Sequence, residues 1–210
     1  MRLPEKKKLA IRTKILDAAS VYSEELAGKV FLYVVGDKHF EVAFPVDRFK
    51  HLTGTKSSLS AKDFYKKAKK ATLTTDQIFF DKNHPYNNAK KKLGYLELLP
   101  AITSELVCVV KNLKTPTITY KLGVTNLSFT IGLIQSSDDT SRFIPMTLRI
   151  NDKAIENSTD AEFVDFIFGK SAEEDAYTEL RYKDPEKVIP VELRELLSKE
   201  LQEQILHCQD

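Results

Sequence analysis

Apolar positions in the first quarter of the chain change period once, and that change predicts the first elements. Leu9, Ile11, Ile15, Leu16, Ala19, Val21, Tyr22 and Leu26 recur close to helical spacing over residues 6–27, and Gly28 is placed to end the helix. Two short β-branched and aromatic runs follow, Val30–Val35 and Phe40–Phe44, and Gly36-Asp37 between them predicts a hairpin. Pro45 closes the second run, and Val46–Leu52 leads to Gly54. Ser60-Ala61-Lys62-Asp63 has the form of a capping box and predicts a helix with Phe64, Tyr65 and Ala68 on its inner face. Thr74–Phe80 reads either as a strand or as a connector, and Asn83–Asn87 as a turn. A short helix is expected over Lys90–Leu99, stopped by Pro100.

Beyond residue 105 the pattern becomes β-rich. Leu106–Val110, Ile118–Leu122, Leu127–Ile134 and Phe143–Leu148 are separated by turn-forming residues, the rhythm of an antiparallel meander. Phe163–Phe168 and Tyr177–Tyr182 predict a further hairpin, and Leu193, Leu196, Leu197, Leu201 and Ile205 a helix over Val191–Leu206. The expected class is α+β: an N-terminal helix, a curved antiparallel sheet of about four to six strands and a C-terminal helix. Residues 1–183 are expected to form one domain and residues 184–210 an acidic helical segment. That helix is expected to pack on its own domain rather than to drive assembly of copies.

Composition narrows the setting. Apolar residues are 42% of the chain, enough to bury a core without disulfide staples. Cys108 lies in an apolar run and reads as a small buried hydrophobe; neither it nor Cys208 belongs to a CxxC pair, so no thiolate zinc site is expected. The N-terminus lacks the apolar core of a signal peptide, and no apolar run approaches the roughly 20 residues that span a bilayer. A cytoplasmic, reducing location is expected. The net charge of +2 conceals an asymmetry. Residues 47–92 hold 12 Lys/Arg against 4 Asp/Glu, and residues 152–210 hold 7 against 16. A basic middle is the footprint of a polyanion-binding face.

The chemistry concentrates between residues 48 and 70. His51 can shuttle protons near neutral pH. Thr53 can donate to a phosphate oxygen, Gly54 permits close backbone approach, and Lys56 adds a cation beside Ser57 and Ser58. Arg48, Lys50, Lys62, Lys66, Lys69, Lys70 and Lys92 are candidate backbone-phosphate contacts, with Tyr65 a candidate for stacking on a base. His84 and His207 are expected to be exposed and inert. His39-Phe40-Glu41 lacks the PCxxC of a zinc deaminase. Phosphate-cradling GxGxxG and GxxxxGK[ST] loops, a GxSxG elbow and calcium-site spacing around Asp138-Asp139 are all missing. No cofactor or metal is expected.

The run FPVDRFKHLTG over Phe44–Gly54, followed by SLSAKDFYKKA, resembles the phage-associated branch of the barnase–EndoU–colicin–RelE-like nuclease superfamily, in the subgroup usually numbered four. The matching elements are His51-Leu52-Thr53-Gly54 and Ala61-Lys62-Asp63-Phe64-Tyr65. Shorter matches are Lys92-Leu93 with Leu96–Pro100, Phe143-Ile144-Pro145 with Leu148, and Phe166–Lys170 with Tyr177. The resemblance spans about residues 6–183. It implies an N-terminal helix, a four-stranded antiparallel sheet and metal-independent RNA cleavage in a toxin or phage–host conflict setting.

On this reading His51 is the general base or acid, Thr53 orients the phosphate and Lys56 stabilises the developing charge. The second proton carrier is sought among Tyr120, Arg142 and Thr147. The alternative is a non-catalytic, phage- or mobile-element-encoded inhibitor or adaptor. It would use the basic face and the acidic C-terminal segment to engage a host or phage protein or a ribonucleoprotein.

Overall fold

The computed structural model describes residues 4–116, 118–150 and 153–207. Helix α1 (Glu5–Glu25) buries Ile11, Ile15, Ala18, Ala19 and Tyr22 along one stripe, as its periodicity predicts. Strands β1 (Lys29–Val35) and β2 (Lys38–Ala43) pair antiparallel around Gly36, whose φ of 58° supplies the left-handed turn. Then come α2 (Arg48–Thr53), the short β3 (Lys56–Ser57) and α3 (Ala61–Lys69). The Ser60 hydroxyl caps α3 by accepting from the Asp63 N–H at 3.0 Å. At the other end of α3, the Arg12 guanidinium donates to the carbonyls of Ala71 and Leu73, tying α1 to this turn.

The ambiguous Thr74–Phe80 stretch holds a 3-10 turn (Thr75–Gln77) and β4 (Ile78–Phe79), which pairs with β3. The helix expected over Lys90–Leu99 starts earlier, as α4 (Tyr86–Leu93), and a separate 3-10 segment, Leu96–Thr103, contains Pro100. The meander follows as β5 (Cys108–Lys114), β6 (Thr119–Thr125), β7 (Phe129–Gln135) and β8 (Arg142–Ile150). The chain then forms β9 (Asp160–Phe163), β10 (Phe166–Ser171), β11 (Glu179–Lys183) and α5 (Lys199–His207).

One expectation needs correcting: the main sheet has nine strands, not four to six, in the order β11-β10-β1-β2-β8-β7-β6-β5-β9. The two hairpin systems and the meander merge because β2 pairs parallel with β8, through Glu41–Arg142 and Val42–Phe143. Every other neighbour in that sheet is antiparallel. Strand β1 is central, and its run KVFLYVV is buried on both faces. Phe31 and Tyr33 face the core beneath the N-terminal helices, while Leu32 and Val34 face a second core.

That second core is closed by the C-terminal segment. Ile189, Leu193, Leu197 and Leu201 pack on Leu32, Val34, Phe166, Phe168 and Tyr177. The single helix expected over Val191–Leu206 is interrupted. A 3-10 turn (Val191–Leu196) gives way to an extended Leu197, because Leu196 and Ser198 exchange backbone hydrogen bonds with Tyr177. Cys108 is buried and free, as expected, and Cys208 lies outside the described residues. Among the described residues no helix is long and apolar enough to cross a membrane.

The packing of the C-terminal segment sets a stability prediction. Leu201 is 3% exposed, and Leu201→Ala is expected to cost about 2–5 kcal/mol in chemical denaturation. A loss under about 0.5 kcal/mol, the range typical of surface positions, would show that α5 is detached in solution.

Candidate active site

Helix α2 is only six residues long, yet its orientation is fixed. Phe49, Leu52 and Thr53 share its inner face and are fully buried. The Phe49 ring lies 5.2 Å from Tyr22, 5.6 Å from Tyr65 and 6.3 Å from Phe64. At 100° per residue, His51 is carried to the opposite side of the helix, where it is exposed. It opens onto a cleft of about 500 Å³. One wall is the α2–β3 segment, with Lys50, His51 and Lys56. The other is the turn before α4 and α4 itself, with Asn83, His84, Asn88 and Lys92. The floor is Tyr120 of β6 with Met146 and Thr147 of β8.

Two glycines make this arrangement possible. Gly54 ends α2 with φ of 68°, a left-handed conformation that favours glycine, and the Lys92 stem crosses it so closely that a Cβ there would meet Cδ at 2.8 Å. Gly132 of β7 lies between Tyr120 and Thr147; a Cβ would meet Thr147 Cγ2 at 2.9 Å and the Tyr120 ring at 3.0 Å. Opposite the step from Gly132 to Leu133, β8 carries one extra residue: Gly132 pairs with Thr147 and Leu133 with Pro145. This bulge lets consecutive residues, Met146 and Thr147, both line the cleft.

The two imidazoles have different neighbours. Partial burial pushes the His51 pKa below the ordinary imidazole value, and the charges of Arg48, Lys50 and His84 push the same way, against Asp47. His84 Nδ1 lies 3.3 Å from Asp81 Oδ1, and Asp81 Oδ2 accepts from Lys56 Nζ at 2.8 Å. The Lys56 ammonium and the His84 backbone N–H hold the Asp81 carboxyl well below the usual carboxylate range. An ionised carboxylate only accepts, so the contact with Asp81 belongs to the form of His84 with a hydrogen on Nδ1. Burial, then the charge of Arg149, lowers Lys92; burial raises Tyr120, with Arg149 opposing.

The structure therefore brings His51, Lys50, Lys56 and Lys92 together and separates the other candidates from them. Thr53 is fully buried; its hydroxyl donates to the Lys50 carbonyl at 2.7 Å and pairs with the Thr55 hydroxyl at 2.8 Å, which leaves none for a phosphate. Tyr65 is 6% exposed within the aromatic cluster, so its ring offers no face to a base. Arg48 pairs with Asp47 at 3.4 Å and approaches Met146 Sδ, and it does not line the cleft. Lys62, Lys66, Lys69 and Lys70 are exposed on α3 outside the lining. Of the three candidates for a second proton carrier, Tyr120 and Thr147 reach the cleft, whereas Arg142 is held by Glu41 and Asp139.

His84, expected to be inert, is half-buried in the cleft wall. The signal for it was present in the sequence: Asp81 three residues upstream is placed to cap the turn and reach the ring. A measurable consequence concerns His51. Its imidazole is expected to titrate below 6.5 by NMR, and Lys50→Gln is expected to raise that value, since removing a cation relieves the imidazolium. A value at or above 6.5, unmoved by the substitution, would place the ring outside this field.

No curated protein and no solved structure matches the chain. The family model described as phage-Barnase-EndoU-ColicinE5/D-RelE like nuclease4 matches residues 14–186.

Proposed function

The chain belongs to the phage-Barnase-EndoU-ColicinE5/D-RelE like nuclease4 family, and from that premise we propose that the cleft between α2 and α4 cleaves RNA without a metal ion. The observation that carries this reading is the presence of two imidazoles in one lysine-lined cleft, one beside cations and the other in contact with a carboxylate. Transfer of a phosphodiester from its 5′-oxygen to the neighbouring 2′-hydroxyl needs one group to take a proton and another to give one.

His51, held largely neutral at pH 7 by its depressed pKa, is the base. It removes the 2′-hydroxyl proton as that oxygen bonds to phosphorus. His84 is the acid: the step requires its doubly protonated form, which gives the Nε2 proton to the departing 5′-oxygen while Asp81 holds the ring from the Nδ1 side. The products are a 2′,3′-cyclic phosphate and a free 5′-hydroxyl, so atoms and protons balance. Lys56 and Lys92, on the two walls, stabilise the charge that builds on the non-bridging oxygens. Tyr120, kept protonated by its raised pKa, can donate to the same oxygens. The family's phage association supports a toxin or phage–host conflict role.

Purified protein is expected to cleave single-stranded RNA in EDTA and to leave 2′,3′-cyclic phosphate ends. His51→Ala and His84→Ala are each expected to lower kcat/KM about 10²–10⁴-fold. The acid limb of kcat/KM should rise with pH through a pKa below 6.5, because the base is active once it loses its proton. An absence of cleavage, or equal rates in the wild type and both variants, would reject the assignment.

A further inference from the structure

The cleft continues past the histidines. A second hollow of about 460 Å³ runs beside β8 toward Arg149 and Ile150, and shares Asn83, Asn88, Lys92 and Thr147 with the first. The two ends of this continuous groove differ in what their polar groups already hold. At the α2–β3 end, Lys56 is bound to Asp81, Lys50 Nζ donates to the Leu59 carbonyl at 2.7 Å, and the Ser57 hydroxyl donates to the Gln77 carbonyl at 2.6 Å. At the α4–β8 end, among the described residues, the Lys91 and Lys92 ammonium groups and the Asn83 and Asn88 side-chain amides have no protein partner. Lys92 also lies within the field of Arg149, a like charge. An ammonium group with no partner gains from an anion beside it.

Resting on the ribonuclease reading of the same cleft, we propose that the α4–β8 groove is a one-sided subsite for single-stranded nucleotides flanking the scissile phosphate, so that the enzyme grips its substrate on only one side of the cut. Lys91 holds a flanking backbone phosphate, and Lys92, shared by both hollows, marks the junction with the scissile phosphate. Asn83 and Asn88, each with two donors and an acceptor, face the Watson–Crick base edges that only an unpaired strand leaves open.

The test uses DNA oligonucleotides that carry one ribonucleotide, which fixes the cut, lengthened on either its 5′ or its 3′ side. One series is expected to gain about tenfold in kcat/KM on lengthening, the size of one charge-assisted contact, while the other stays flat. Lys91→Gln is expected to erase most of that gain. Equal gains on both sides, or a gain that survives Lys91→Gln, would overturn the subsite.

Binding is read separately by fluorescence anisotropy, using the His51→Ala/His84→Ala double variant and a fluorescein-labelled single-stranded RNA. Adding Lys91→Gln should reduce the log–log salt slope by about 0.7. Lys69→Gln, on α3 outside the cleft, should reduce it less. Equal slope changes, or equal affinity for duplex RNA, count against the proposal. Binding with the expected slope change but no cleavage by the wild type rejects the ribonuclease reading and leaves the subsite standing; cleavage without the slope change does the reverse.

Discussion

The candidate site depends on the burial of Phe49. A six-residue helix has too few internal hydrogen bonds to persist alone, so α2 exists because its inner face is held by Tyr22, Phe64 and Tyr65. That grip fixes the rotation of the helix about its axis. Once Phe49, Leu52 and Thr53 are inside, His51 has only the solvent side left to it. Thr53 then does its work within the fold: its hydroxyl closes the last turn on Lys50 and braces Thr55. The residues that look most available to a ligand in sequence are therefore divided by one packing decision into a scaffold half and a chemical half.

Asp81 performs the matching task on the opposite wall. Its two oxygens are shared between the turn at Asn83 and His84, the His84 ring and the Lys56 ammonium. A carboxylate so occupied orders the turn, selects the tautomer of His84 and links β3 to the loop before α4. The β3–β4 pair, only two residues long on each strand, gains from this cross-link. The two walls of the cleft are thus joined through one side chain and meet over Gly54, where Lys92 crosses.

Local signals carried much of the fold. The Gly36 hairpin, the Ser60 cap and the meander strands could be placed because turn chemistry and period are properties of neighbouring residues. What eluded the sequence is long-range or edge-specific. The parallel contact of β2 with β8 rests on two residue pairs about a hundred positions apart, and it fuses two modest sheets into one of nine strands. Strand β9 is exposed at all four positions, so no alternation marks it. In the site, His51 and Lys56 were legible from their clustering, and Tyr120 and Thr147 from their place in the β-rich region. His84 had only a local signal, Asp81 three residues upstream, and its place in the site comes from the cleft that forms around that turn.

The lysines supply the last distinction. Lys62–Lys70 and Lys90–Lys92 are both lysine-rich, and both lie on helical segments with one buried face. They differ in what the helix is packed beside. Helix α3 turns its charges to open solvent, where each ammonium keeps its hydration and a bound phosphate gains little beyond screened attraction. Helix α4 lays Lys92 along Gly54 and toward Arg149, where burial has already removed part of its hydration and a second positive charge opposes it. A cation in that state has less water to lose when an anion arrives. The same side chain thus lies on a solvated surface on one helix and partly buried beside a strand on the other, and on the proposed reading only the second seats a phosphate.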